Sequence, residues 1–180
     1  MNILAVDTQS KIMAVVIVSE DTERGVVLNA GVTHSETLMP TIDEVLRTND
    51  LTLDDIDYFA VDVGPGSFTG IRIGVNTINA LAYATSKQVI QFNAFEANVD
   101  RIDGINAIDC KHSNYYVEID GELSVASKEV LSNKKVNYLD ATSISISSIA
   151  SAVRRNLENL VTQAVPEYVR ESEAERNLCV

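Results

Sequence analysis

Apolar runs broken by turn residues dominate the first part of the chain. Ile3–Val6, the β-branched run Met13–Val18 and the run Gly25–Asn29 follow one another with polar residues between them. That spacing predicts an antiparallel meander. The period then changes. From His34 to Arg47 the apolar residues Leu38, Ile42, Val45 and Leu46 fall on one stripe, which predicts a helix with Ser35 as its N-cap. Thr52-Leu53-Asp54-Asp55 matches a capping box for one short helical turn. Tyr58–Val63 reads as a strand. A helix over Thr69–Thr85 follows, with Ile71, Val75, Ile78, Leu81 and Ala82 as its stripe. Val89–Phe92 is another strand, and Asn93 caps a helix through Val99. Gly104–Ile108 and Tyr115–Ile119 read as a strand pair across Asp109–Asn114. The serine-rich tract Ser143–Ser151 leads into a helix carrying Val153, Leu157 and Leu160, with Arg154 and Arg155 outward. The tail from Pro166 is charged, and its Glu171-to-Glu175 spacing suits a short exposed helix. Strands first, then alternating strands and helices, predict an α/β or α+β fold with a mixed sheet.

Between the strand Tyr58–Val63 and its following helix lies Gly64-Pro65-Gly66-Ser67-Phe68-Thr69-Gly70-Ile71-Arg72-Ile73-Gly74. It holds four of the 8 glycines and one of the 3 prolines. Two readings of this corner stand. Backbone N–H groups at a helix start form an anion cradle, or the glycines permit a tight turn and close packing. A nucleotide P-loop needs Gly-Lys followed by Ser or Thr, and no Lys is present. A dinucleotide fingerprint needs Gly-x-Gly-x-x-Gly, and Gly64, Gly66 and Gly70 are spaced one residue too wide. Arg72 falls in the first helical turn, against the helix dipole. That placement calls for a carboxylate or phosphate partner. Ser67 reads as the helix N-cap. Asp7-Thr8-Gln9-Ser10 ends the first strand, either as a ligand-facing turn or as an Asx turn.

Composition narrows the classes. At 180 residues the chain is one large domain or two small lobes. It has no apolar run long enough to span a bilayer. It starts directly on a strand, so a cytoplasmic location is expected. Cys110 and Cys179 are isolated thiols without disulfide or metal spacing. The formal charge of −12 argues against gripping a polyanion alone, because phosphate affinity comes largely from Lys and Arg.

Three stretches resemble the bacterial TsaB (YeaZ) family, a noncatalytic paralogue of the TsaD/Kae1 enzymes. They are Ile3-Leu4-Ala5-Val6-Asp7-Thr8, His34-Ser35-Glu36-x-Leu38-x-Pro40-x-Ile42, and Asp57-x-x-Ala60-Val61-x-x followed by the glycine corner. Pro166-x-Tyr168-x-Arg170, with Ala174-Glu175 after it, resembles the family's closing motif. The resemblance implies an actin-like (ASKHA, ribonuclease H-like) two-lobed α/β fold with a mixed five-stranded sheet. It divides the chain into an N-terminal lobe, 1–100, and a reduced C-terminal lobe, 101–180. It implies a noncatalytic subunit of the complex that makes threonylcarbamoyladenosine (t6A) in tRNA. The subunit would pair with TsaD and with TsaE, form a homodimer when alone, and meet tRNA only through the complex. ATP or ADP and metal would belong to the partner subunits, with no cofactor in this chain. His34, Leu38, Met39, Ile42, Phe68, Gly70, Ile71, Arg72, Gly74, Val75 and Ile78 would form the partner interface. Leu38, Met39, Val75 and Ile78 are expected to supply an exposed apolar face, and Gly70 and Gly74 a close helix approach. Asp7, Thr8, Ser67, Thr69 and Arg72 are the candidate nucleotide or phosphate residues. The chain departs from the family at Gln9, where Ser is usual. It departs again at Asp109-Cys110-Lys111, where Asp-Ala-Arg is usual, and after about Asp120, where it is short.

The residues themselves also fail the enzyme tests. His34 and His112 lack the His-x-x-x-His partner of a TsaD-type metal site. Ser67 lacks a Gly-x-Ser-x-Gly elbow and an assigned base. A kinase or ATPase needs a second phosphate loop, which is not visible. The competing readings are a stand-alone actin-like nucleotide-binding protein or ATPase, and a glycoprotease-like peptidase.

Overall fold

The computed structural model describes residues 1–28, 33–98, 103–119, 121–139 and 144–169. Asn29, Val99, Asp120, Ser143 and the tail from Arg170 lie outside them. The opening meander is present as β1 (Asn2–Asp7), β2 (Met13–Ser19) and β3 (Glu23–Leu28). Leu4 pairs with Ile17 and Met13 with Leu28. The next strands, β4 (Tyr58–Asp62) and β5 (Val89–Phe92), run parallel, β4 beside β1 and β5 beside β4. Helices α1 (His34–Thr48) and α2 (Phe68–Thr85) connect them. α1 starts earlier than the Ser35 cap predicts, because Thr33 takes the N-cap position. The capping box at Thr52 is formed, with Asp55 accepting from the Thr52 N–H and hydroxyl.

A second sheet follows the short α3 (Ala94–Asn98). Its strands are β6 (Ile105–Asp109), β7 (Asn114–Ile119), β8 (Glu122–Ser127) and β9 (Val136–Leu139), in the order β8-β7-β6-β9, with α4 (Lys128–Leu131) between β8 and β9. The chain then returns to the first sheet. α5 (Ile146–Arg155) lies on its open face, and β10 (Leu160–Val161) pairs antiparallel with β5. The first sheet therefore has six strands, β10-β5-β4-β1-β2-β3, rather than the five expected. Leu157 and Leu160 are not helical as expected. Asn156 closes α5, its N–H bonding the Val153 carbonyl, and the chain turns into β10.

The first sheet is covered on both sides, so β1 and β2 read as almost continuous apolar runs. Leu4, Val6, Val15 and Ile17 pack with α1 and α2. Ile3, Ala5, Ala14 and Val16 pack with Ile149, Ala150 and Val153 of α5. Arg154 and Arg155 are tethers rather than free outward charges. Arg154 bonds Glu23 at 3.0 Å and the Ser19 carbonyl, and Arg155 bonds the Glu96 carbonyl. The second sheet has a much smaller core, centred on Ala107, Val117 and Leu131.

The glycine corner seats α2 on the end of β1. Ser67 caps the helix, its Oγ accepting from the Gly70 N–H. The Thr8 hydroxyl donates to the Gly70 carbonyl at 2.7 Å, and the Ser67 N–H bonds the Gln9 carbonyl at 2.6 Å. A Cβ on Gly70 would collide with the Thr8 carbonyl oxygen, and one on Gly74 with the Thr8 hydroxyl. Gly64 holds φ of 106°, a region that favours glycine. The close approach made by Gly70 and Gly74 is thus to this chain's own β1, not to a partner helix. Gly70→Ala gains up to about 1 kcal/mol of helix propensity but overpacks against backbone, at about 1–3 kcal/mol. A urea melt should show a lower midpoint for Gly70→Ala. An unchanged or higher midpoint would contradict this packing.

Candidate functional site

β1 and β4 end beside each other in two aspartates. Val6 pairs with Val61, so Asp7 and Asp62 each stand one residue past that registered pair. Side chains alternate along a strand, which puts both on the side of Ala5 and Ala60, facing α5. Both are fully buried. The Asp7 Oδ1 accepts the Gln9 N–H at 3.0 Å, which is the Asx turn read at this position. The Asp62 Oδ1 accepts the Gly64 N–H at 2.7 Å in the same way. The Oδ2 of each is buried and has no hydrogen-bond partner among the described residues.

Burial dominates the protonation of this pair. It pushes the Asp7 carboxyl up to about 7, against the Gln9 N–H. It raises Asp62 well above the usual carboxylate range, helped by the Asp7 charge and opposed by the Gly64 N–H. Glu96 and Glu167 add negative potential at Asp62. Asp62 is the site residue that sequence reasoning missed. The available signal was a charged residue inside the apolar run Tyr58–Val63, at the C-terminal end of a strand buried on both faces.

The corner above the pair is closed by the C-terminal segment. The Glu167 N–H bonds the Val63 carbonyl at 2.8 Å. Tyr168 stacks on Phe68 with ring centroids 4.2 Å apart. Arg72 lies 4.2 Å over the Phe68 ring, and its Nε donates to the Tyr168 hydroxyl at 2.9 Å. Among the described residues the partners of Arg72 are thus aromatic side chains, and no carboxylate pairs with it. Stacking lets the guanidinium sit at a helix start without an anion.

The structure brings Asp7, Thr8, Ser67 and Thr69 to one corner. Asp7 and Thr8 are buried within it, while Thr69 and Arg72 are exposed. Leu38, Ile42, Ile71, Val75 and Ile78 are buried in the core beneath α1 and α2. Of the four residues expected to supply an exposed apolar face, only Met39 is exposed, at 41%. The other three point onto the sheet. His34 sits at the start of α1, where its Nε2 bonds the Ser10 carbonyl at 2.9 Å. Among the described residues no base bonds Ser67, whose Oγ serves the cap. A groove of about 380 Å³ lies elsewhere, between β3 and α1; Val26, Pro40 and Val45 line it, with Glu36 and Glu44 among its polar residues. It holds no nucleophile and base in contact.

The TsaD family, tRNA N6-adenosine threonylcarbamoyltransferase, matches residues 18–130. The chain belongs to this family. Within it, the chain falls with the TsaB (YeaZ) proteins. It is 32% identical over 97 residues to the tRNA threonylcarbamoyladenosine biosynthesis protein TsaB of Haemophilus influenzae, covering 54% of this chain and 41% of that protein. It is 32% identical over 113 residues to TsaB of Bacillus subtilis, covering 58% of this chain and 48% of that one. The chain thus spans less than half the length of these relatives. A solved Pseudomonas aeruginosa protein with similarity to peptidase YeaZ superposes with a TM-score of 0.79 at 20% identity, over 94% of this chain and 99% of that one. The two share this fold.

The carboxylate pair makes stability depend on pH. Folding raises both pKa values, so their contribution is full below the ordinary carboxylate value of about 4 and is lost as pH rises through the folded values, about 7 for Asp7. Asp62→Asn should come closest to the wild-type melting temperature at or below about pH 4, where both side chains are neutral in the folded and unfolded states. Near pH 8 its melting temperature should be clearly the higher of the two, because only the wild type carries the buried carboxylate. A variant less stable than wild type near pH 8 would show that the pair already has a counter-charge.

Proposed function

We propose that this chain is a noncatalytic TsaB-type subunit of a cytoplasmic complex that makes t6A in tRNA. It binds and supports TsaD, acting with TsaE, and dimerises when alone. Nucleotide and the reaction's metal belong to the partner subunits, and tRNA is met through them. The TsaB relatives support the pathway. The observation that carries the docking role is the outward face of α2.

That face runs through Thr69, Arg72, Asn76, Ala80, Tyr83 and Ala84, all exposed, with Ile73 and Thr77 half-buried beside them. Tyr83 is 88% exposed. Arg72 is the face's one charge, in a chain carrying 26 acidic residues. A long helical face with a single charge near its start, small residues and a free aromatic suits helix packing. Met39 and Pro40 of the neighbouring α1 are exposed as well. Phe68 and Arg72 mark the α2 N-terminal end of the surface. Leu38, Ile42, Gly70, Ile71, Gly74, Val75 and Ile78 act from beneath, fixing where the two helices lie.

A charge on Ala80 separates docking from folding, whereas one on the buried Val75 would only unfold the core. Ala80→Glu should keep its circular dichroism and melting temperature. It should lose TsaD in pull-downs by more than about tenfold, since burying an unpaired charge at an interface is costly. Undiminished TsaD capture by folded Ala80→Glu would count against this face. Tight ATP binding by the isolated chain would favour the actin-like nucleotide-binding reading instead.

A further inference from the structure

β3 ends the first sheet, and among the described residues it pairs only with β2. An edge strand offers its outer N–H and C=O groups as a template for another strand. Proteins usually blunt such an edge with a proline, a bulge, a very short strand or charges along it. β3 has six residues without a proline, matches β2 residue for residue, and carries charge only at Glu23 and Arg24. The rest, Gly25-Val26-Val27-Leu28, is uncharged and half-buried. Beside this edge lies the groove of about 380 Å³, lined by Val26 and Leu28 and, from α1, by Glu36, Pro40 and Val45. α1 packs over β2 and α2 over β4, so the edge is on the far side of α1 from α2.

Charge and side-chain size along the edge are self-complementary. Arg24, Val26 and Leu28 alternate with Gly25 and Val27 and share the face turned to α1. Val26 and Leu28 pack with the α1 core, and Val27 with the α5 core. At the Leu28 end Glu36, in the first turn of α1, lines the groove. At the other end Arg24 lines an adjoining hollow of about 210 Å³, and Asn49 borders both spaces. Neither the Glu36 carboxylate nor the Arg24 guanidinium has a partner among the described residues.

We infer that β3 pairs antiparallel with β3 of a second copy of this chain about a two-fold axis at Val26, joining two first sheets into one. Keeping both α1 helices on one face requires the axis to pass at a residue, not between two. At Val26 it sets Arg24 opposite Leu28 of the second copy, where that copy's Glu36 lies. The charge pair then forms twice, because each contact of a two-fold interface repeats. Val26 meets Val26, and Gly25, with no side chain, faces Val27. An axis at Gly25 or at Val27 sets Arg24 away from Leu28. Paired this way, the dimer leaves the outward face of α2 uncovered. It gives the proposed self-association a surface and does not depend on the TsaD docking role.

The test is sedimentation of the full chain by analytical ultracentrifugation, with charge reversals at two exposed side chains. Wild type should dimerise. Arg24→Glu and Glu36→Arg should each weaken the dimer by at least about tenfold, since each places two like-charge contacts in the interface. The double variant Arg24→Glu/Glu36→Arg should recover the wild-type affinity, which a merely structural effect of either change would not do. Ala80→Glu, on the α2 face, should dimerise as wild type does. With both native cysteines replaced by serine, Val26→Cys should oxidise to a covalent dimer. Facing residues of antiparallel strands have Cα atoms about 4.5–5.5 Å apart, inside the disulfide range of about 4.4–6.8 Å. A wild-type chain that stays monomeric at millimolar concentration would overturn the inference and leave the edge to a strand of another protein. A dimer indifferent to the charge reversals, or not restored by the double variant, would also overturn it. So would a dimer lost in Ala80→Glu, which would move self-association to α2.

Discussion

The first turn of α2 lies against the backbone of Thr8, and most of the molecule is arranged around that contact. Only hydrogen atoms separate Gly70 and Gly74 from Thr8. The contact fixes the angle at which α2 crosses the sheet. It also decides which helical stripe enters the core and which faces outward. The glycine corner thus solves a packing problem. Small residues are needed there because backbone approaches backbone closely.

The same contact shapes the chemistry beneath. The corner that seats α2 is bonded to Gln9, two residues past Asp7, and the Glu167 N–H is bonded to Val63, one residue past Asp62. Two carboxylates that would be ordinary at a strand end in water become a buried, mutually repelling pair. The C-terminal segment completes this enclosure through the Phe68–Tyr168–Arg72 stack. A residue ninety-six positions from Arg72 along the chain supplies its hydrogen-bond partner. The closing segment and the corner therefore form one structural unit.

The first half of the fold was legible because each element there has a strong period and a sharp boundary. The strands of the double-covered sheet read as apolar runs, and α1 and α2 as single stripes. The second sheet was legible only at β6 and β7. Its small core leaves β8 and β9 half-exposed, so neither shows clean alternation, and β10 is a two-residue pairing that no periodicity signals. Leu160 fits a helical stripe as well as a strand, and only the turn at Asn156 decides between them. At the site, Asp7 stood out because it ends an apolar run, whereas Asp62 was hidden inside one. The stripe on α2 could not be divided by sequence alone. The structure assigns its aliphatic residues to the core and leaves the outward face to small residues and Tyr83.

The proposed docking role rests on that division. A helix held rigidly from below by glycine packing and aliphatic burial presents a preorganised surface. Such a surface loses little further entropy on docking. The proposed support of a partner enzyme would need little more than this. The most direct measurement is reconstituted tRNA threonylcarbamoylation with TsaD, TsaE, the threonylcarbamoyl donor and ATP, with and without this chain. The account predicts that product formation depends on the chain, and that Ala80→Glu cannot replace it. Full activity in its absence would contradict the account.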